Sequence, residues 1–244
     1  MNRTWRLIAL LVVVAAASVL PSVSGRADVR QYVICIDPGH PSEVGSGTQG
    51  RHITEIEAAW QVAQRLKTEL QARGMRVVLT KKKEHEFVRN RRRAEIANQN
   101  HADYMVRLHC DSDAGTGIAS YAPDQQGSID GVTGPSKGVI KASRKMGAEF
   151  HRTMVKSLDG RLKDRGFLPD TSTAVGRKHH ALIGSIFSKS PVVLVEMCVL
   201  TNPKDEQFIR DPKNQTLLAK AMADGVQAAL ATNQKAEPAP NVSP

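Results

Sequence analysis

Short apolar, β-branched runs alternate with stretches of helical periodicity along most of this 244-residue chain, and that alternation limits the folds open to it. Gln31 to Ile36 (QYVICI), Met75 to Thr80 (MRVVLT), Tyr104 to Leu108 (YMVRL) and Val192 to Val195 (VVLV) read as strands. After the first, Ile56, Ala59, Trp60, Ala63, Leu66 and Leu70 recur at helical spacing and predict an amphipathic helix from about Thr54 to Arg73. Thr54 can cap it, Glu55 and Glu57 suit its first turn, and Gly74 stops it. Further helices are expected from about Val88 to Asn98, over 138–158 and over 215–231, with a short strand within Gly115 to Tyr121. Apolar strands separated by helices build a parallel sheet buried on both faces. The expected fold is α/β: a single domain over residues 28–232, its mainly parallel twisted sheet carrying helices on both faces.

The two ends read differently. Arg3 and Arg6 precede an apolar run of 14 residues, Leu7 to Leu20, then Pro21 and small residues up to Ala27. That is the pattern of a signal peptide over 1–27, too short to span a bilayer, which needs about 20 residues. Export to a periplasm or to the wall and medium is therefore expected, with no integral membrane segment in the mature chain. Residues 233–244 are polar and Pro-rich, as in a disordered tail. The 34 basic and 24 acidic residues leave a net charge of +10, which suits an anionic partner. Lys81-Lys82-Lys83 and Arg89, Arg91, Arg92 and Arg93 invite a nucleic-acid reading, but an exported chain with 4% aromatics and no recognition motif argues against one. Arg93 is expected to have a structural partner; the other cations read as a solvated face, or one that meets anionic wall polymer or lipid headgroups. Three cysteines are no disulfide scaffold; Cys35, Cys110 and Cys198 fall in strand-like segments, as buried thiols or with one Cys110–Cys198 bridge.

Chemistry-bearing residues sit where the expected strands end. His40 follows the turn Asp37-Pro38-Gly39, His109 ends the YMVRL run, Glu196 ends VVLV, and Glu55 opens a helix that follows a strand. In parallel sheets, ligands bind beyond the carboxyl ends of the strands. Two neutral imidazoles and a carboxylate make a three-ligand zinc site with an open position. There zinc acidifies water and polarises a carbonyl, while a second carboxylate moves the proton. His40, Glu55 and His109 are the candidate ligands and Glu196 the candidate acid/base, although eight histidines offer other triples. Asp37 could orient a ligand histidine or cap its turn. Asp111 and Asp113 read as solvated loop residues, His179-His180 as a solvated pair or one groove residue, and His52, His85, His101 and His151 as surface.

Four ordered blocks add a resemblance. Ile36-Asp37-Pro38-Gly39-His40, Glu55 through Ala63, Arg93 through Ala97-Asn98, Ala102-Asp103 and Val106 to His109, and Pro191 through Glu196 with Leu200 to Glu206 resemble the zinc-dependent N-acetylmuramoyl-L-alanine amidases of the amidase 3 type, from Val33 to Ala231. The resemblance implies zinc on His40, Glu55 and His109, and Glu196 as the catalytic carboxylate. It implies peptidoglycan as substrate, cut at the amide between N-acetylmuramic acid and the stem L-alanine. Three positions depart from the pattern: Pro41-Ser42 after the first ligand, Arg107 where Ser is usual, and Cys198 where Gly is common. A zinc peptidase of the stem peptide and a wall-binding protein without catalysis are the alternatives. Whether a protein activator is needed is open.

Overall fold

The computed structural model describes residues 31–234; the expected signal peptide and most of the expected tail lie outside them. A six-stranded sheet runs through the domain in the order β2-β1-β3-β8-β4-β7. Its strands are β1 (Val33–Pro38), β2 (Arg76–Leu79), β3 (Tyr104–Asp111), β4 (Ile118–Ala122), β7 (Asp164–Pro169) and β8 (Val192–Val199). A small hairpin, β5 (Gly127–Ile129) and β6 (Val132–Gly134), stands apart from it. The helices are α1 (Glu55–Ala72), α2 (Asn90–Gln99), α3 (Lys137–Leu158), α4 (Ala174–His179), α5 (Ile183–Ile186), α6 (Pro203–Arg210) and α7 (Pro212–Gln234).

Four strands, β2, β1, β3 and β8, pair in parallel, as the apolar runs predict. The order then reverses: β4 pairs antiparallel with β8, and β7 lies parallel to β4. The sheet is thus mainly parallel, with the reversal beside the strand that carries Glu196.

Side chains alternate across the strands, so each strand feeds two layers. Ile34, Ile36, Tyr104, Val106, Leu108, Val193 and Val195 enter one continuous core with α1, α3 and α7. Cys35, Met105 and Val192 point the other way, with Ala97 of α2 and Ala102 against them. Farther along that second face, Asp37, Arg107 and Leu194 share one register row, and His109 and Glu196 share the next. The second face is therefore apolar at the amino ends of its strands and charged at their carboxyl ends.

Local sequence sets the element that feeds the site. Thr54 and Glu57 form a reciprocal capping box at the start of α1: the Thr54 side chain accepts from Glu57 N, and Glu57 Oε2 accepts from Thr54 N at 2.7 Å. This fixes the first turn, from which Glu55 projects.

Candidate metal centre and catalytic cleft

His40, Glu55 and His109 converge, each offering a ligand atom within 4.8 Å of the others. Glu55 is buried and lies between the rings. Its Oε1 accepts from His109 Nδ1 at 2.8 Å and from Cys110 N at 3.1 Å, and its Oε2 accepts from Thr48 N at 2.7 Å. His40 Nε2 stands 3.5 Å from the same Oε1, while His40 Nδ1 donates to the Gly45 carbonyl at 2.9 Å. That carbonyl selects the tautomer with a bare Nε2, the form that binds metal. The rings meet edge-on, centroids 5.1 Å apart.

Two glycines make this approach possible. A Cβ on Gly39 would fall 2.6 Å from His109 Cε1 and 2.7 Å from the Leu108 carbonyl, which accepts from Gly39 N at 2.8 Å. Gly47 has φ +79°, and a Cβ there would fall 2.7 Å from Glu55 Oε2. Any side chain at either position displaces a ligand.

Beneath the ligands lies a buried ion cluster. Asp37 is fully buried and pairs with Arg93 Nη1 at 2.6 Å and Arg107 Nε at 2.9 Å, and Thr80 Oγ1 donates to it. Burial alone would raise its pKa, but the two guanidiniums hold it far below the ordinary carboxylate range. Asp37 thus neither orients a ligand histidine nor caps its turn. Arg93 also donates to the carbonyls of Val88, Pro38 and Pro41. Lys81 Nζ donates to the carbonyls of His40 at 2.6 Å, Gly39 and Glu84. His40 itself has φ 42°, a left-handed conformation that these cations grip by the carbonyls on either side. Lys81 therefore leaves the solvated basic face to which the sequence assigned it, and Arg93 has the structural partners expected of it: six carbonyls and a buried carboxylate take their donors. Lys82, Lys83, Arg89, Arg91 and Arg92 are exposed.

Glu196 sits beside the triad. It is level with His109 across the β3–β8 pair, just before a bulge where Cys110 of β3 faces two residues of β8, Met197 and Cys198. Both line a cleft of about 260 Å³ with His40, Arg107 and Leu194. Glu196 Oε2 and His109 Nε2 are enclosed and lack a hydrogen-bond partner among the described residues. Burial, with the charges of Glu55 and Asp111, pushes the Glu196 carboxyl well above its ordinary pKa. Burial lowers the His109 pKa against the pull of Glu55, which favours a neutral imidazole. Burial opposes the charge of Glu55, yet its bond from His109 and the two imidazoles hold its pKa below the usual value.

Asp111 ends β3 rather than lying in a loop, while Asp113 is an exposed loop residue as expected; both pair with Arg165. His179 closes α4 and His180 follows it, and neither lines the cleft. His151 is buried, not on the surface; it bridges Ser120 Oγ and Asp164 Oδ1, each at 2.9 Å. The three cysteines are buried and unbridged, with the Cys110 and Cys198 sulfurs 3.8 Å apart. Among the described residues no helix is long and apolar enough to cross a membrane.

The sequence profile of the N-acetylmuramoyl-L-alanine amidases of the Amidase_3 type matches residues 34–228. The chain belongs to this family. Among family relatives, it is 26% identical over 239 residues to the amidase AmiC of Neisseria meningitidis serogroup B, spanning 84% of this chain and 54% of AmiC. It is 25% identical over 248 residues to the amidase Rv3717 of Mycobacterium tuberculosis, spanning 93% of this chain and 98% of Rv3717. The catalytic domain of the amidase CwlV from Bacillus (Paenibacillus) polymyxa superposes with a TM-score of 0.65 at 22% identity, over 83% of this chain and 99% of that domain. The shared fold is the single α/β domain described above.

The donor set also fits the family's metal. Two nitrogens and one carboxylate oxygen are a zinc set with an open position. His40 Nε2 and His109 Nδ1 both turn toward Glu55 Oε1, at 3.5 and 2.8 Å, so the three donor atoms of that set face one another.

Proposed function

We propose that this chain is a zinc-dependent amidase that hydrolyses the amide between N-acetylmuramic acid and the L-alanine of the peptidoglycan stem. The observation that carries the reading is the meeting of His40, Glu55 and His109 at a cleft that Glu196 also lines. His40, Glu55 and His109 would hold the metal. Bound zinc supplies Lewis acidity, polarising a carbonyl and acidifying water.

The protein's own groups do the rest. Thr48 N and Cys110 N lock Glu55 in place, and the Gly45 carbonyl locks His40. The apolar cleft wall of Val175, Leu182, Ile183 and Leu194 excludes water around the amide. Glu196 takes a proton from the attacking water at its carboxylate and returns it to the leaving amine nitrogen. A carboxyl whose surroundings raise its pKa suits the second half of that task. Because the substrate is the wall, the protein acts outside the cytoplasmic membrane, consistent with the leader-like pattern of residues 1–27.

Mass spectrometry of digested sacculi tests the reading. Release of intact stem peptides with a free L-alanine amine from uncut glycan is expected. Stem fragments would assign a peptidase instead, and zinc binding without product would assign a wall-binding protein. Glu196→Gln should keep the metal and lower kcat by about 10²–10⁴-fold; an active variant would remove Glu196 from the mechanism.

A further inference from the structure

One cation lies within the cleft itself. Arg107 is the only lysine or arginine among the described residues that line it, and it occupies a position where the family resemblance calls for serine. It is 3% exposed. Its Nε donates to Asp37 and its Nη2 to Asn90 Oδ1 at 2.6 Å. Its Nη1 has no acceptor among the described residues, yet it is not among the enclosed, unpartnered atoms. Asp37 cannot neutralise this guanidinium alone, because it is shared with Arg93. The backbone of α5 presses against the group: a Cβ on Gly184 would fall 2.7 Å from Nη1. The guanidinium is thus clamped from two sides, with one nitrogen left over for something that enters the cleft.

We propose that Arg107 anchors a carboxylate of the substrate, the one borne by the second residue of the stem peptide. The inference rests on the amidase reading above. Arg107 precedes His109 by two residues on β3, a displacement of about 7 Å along a strand. Two extended peptide residues span about the same length. A stem peptide that presents its first amide beside His109 and runs back along β3 therefore brings its second residue over Arg107. The apolar walls strengthen a charge-assisted bond formed there.

The test uses the zinc-loaded full chain and two muramoyl dipeptides that differ only at the second residue, one with a free carboxylate and one with a carboxamide. The wild type should favour the acid by about 10–100-fold in kcat/KM, mostly through KM. Arg107→Gln should bring the two substrates level, and Arg107→Lys should restore part of the preference. Equal kcat/KM on both substrates in the wild type overturns the anchor and leaves the amidase reading standing. An equal loss on both substrates in Arg107→Gln, with the preference intact, also overturns it and makes Arg107 a purely structural partner of Asp37. If neither substrate is cut, calorimetry with the two free dipeptides separates the claims: tighter binding of the acid keeps the anchor while the amidase reading fails, and equal binding removes both. Should the variants fail to fold, the wild-type substrate pair decides alone.

Discussion

The two faces of the central sheet use the same strands for opposite purposes. On the face toward α1, α3 and α7, every side chain of β1, β3 and β8 named in the core is apolar or a buried tyrosine, and neighbours differ only in shape. On the other face the same strands carry Asp37, Arg107, His109 and Glu196 at their carboxyl ends. The apolar face gains stability in proportion to area removed from water, and it tolerates a lost methyl group. The charged face holds ions away from water, so each depends on a particular partner. Stability is distributed on one side and concentrated in a few contacts on the other.

Removing one partner from the charged face should therefore have the largest effect. Arg93→Met keeps much of the side chain's bulk but leaves Asp37 with Arg107 as its one cation and takes the guanidinium donor from three backbone carbonyls. Breaking a buried pair in this way costs about 3–5 kcal/mol, readable as a drop in the urea midpoint. Because Pro38 and Pro41 flank the first ligand, affinity for added zinc should fall as well, by about 10–100-fold. A stability loss below about 1 kcal/mol would mean that this cluster behaves like a surface ion pair.

The charged face also contains a carboxylate shifted the opposite way. Asp170, just after β7, is fully buried; it accepts from Leu182 N and feels the Ser185 hydroxyl, and its Oδ1 has no hydrogen-bond partner among the described residues. Burial raises its pKa to about 6. The folded protein thus holds this proton more tightly than the unfolded chain. The resulting stabilisation is complete below the unfolded pKa near 4, and is lost as pH rises through about 6. The stability of the wild type relative to Asp170→Asn should fall by up to about 3 kcal/mol across that window and stay level above it. Urea titrations of both proteins at several pH values check this. A difference that is constant with pH, or rises with it, would place the Asp170 carboxylate in a better-solvated setting.

The same contrast explains which parts of the molecule were legible in the sequence. The apolar runs of β1, β3 and β8 and the periodic face of α1 are written in local composition, and from them follow the parallel half of the sheet and the convergence of His40, Glu55 and His109. β7 reads DRGFLP, polar and broken by Gly166 at φ +98°, so no apolar signal marks it or the antiparallel turn beside it. The three-residue strands β5 and β6 are too short to show a period. α6 did carry a signal, an Asn202 cap before Pro203 with Asp205 and Glu206 in the first turn. Lys81 and His151 were unreadable for a different reason. A basic or polar residue looks solvated until a distant partner is brought to it, and those partners lie up to 42 residues away. Arg93 differs: its place in the third block of the resemblance pointed to a structural partner, and Asp37, an acid inside an apolar strand, demands a buried cation.

Ile36→Val makes the smallest change, on the apolar face. Ile36 is fully buried and directly precedes Asp37, but it points into the opposite layer, packed with α1 and the central strands. Deleting one methylene group there should cost about 1 kcal/mol, since the surrounding aliphatic side chains can close part of the gap. Zinc affinity and kcat should match the wild type, because neither Asp37 nor its cations touch the site of change. The pairing of the urea midpoint with a zinc titration is what gives this variant its value. If zinc affinity falls as it does in Arg93→Met, then packing on the apolar face sets the geometry of the ligands through the strand, and the two faces are one mechanical unit.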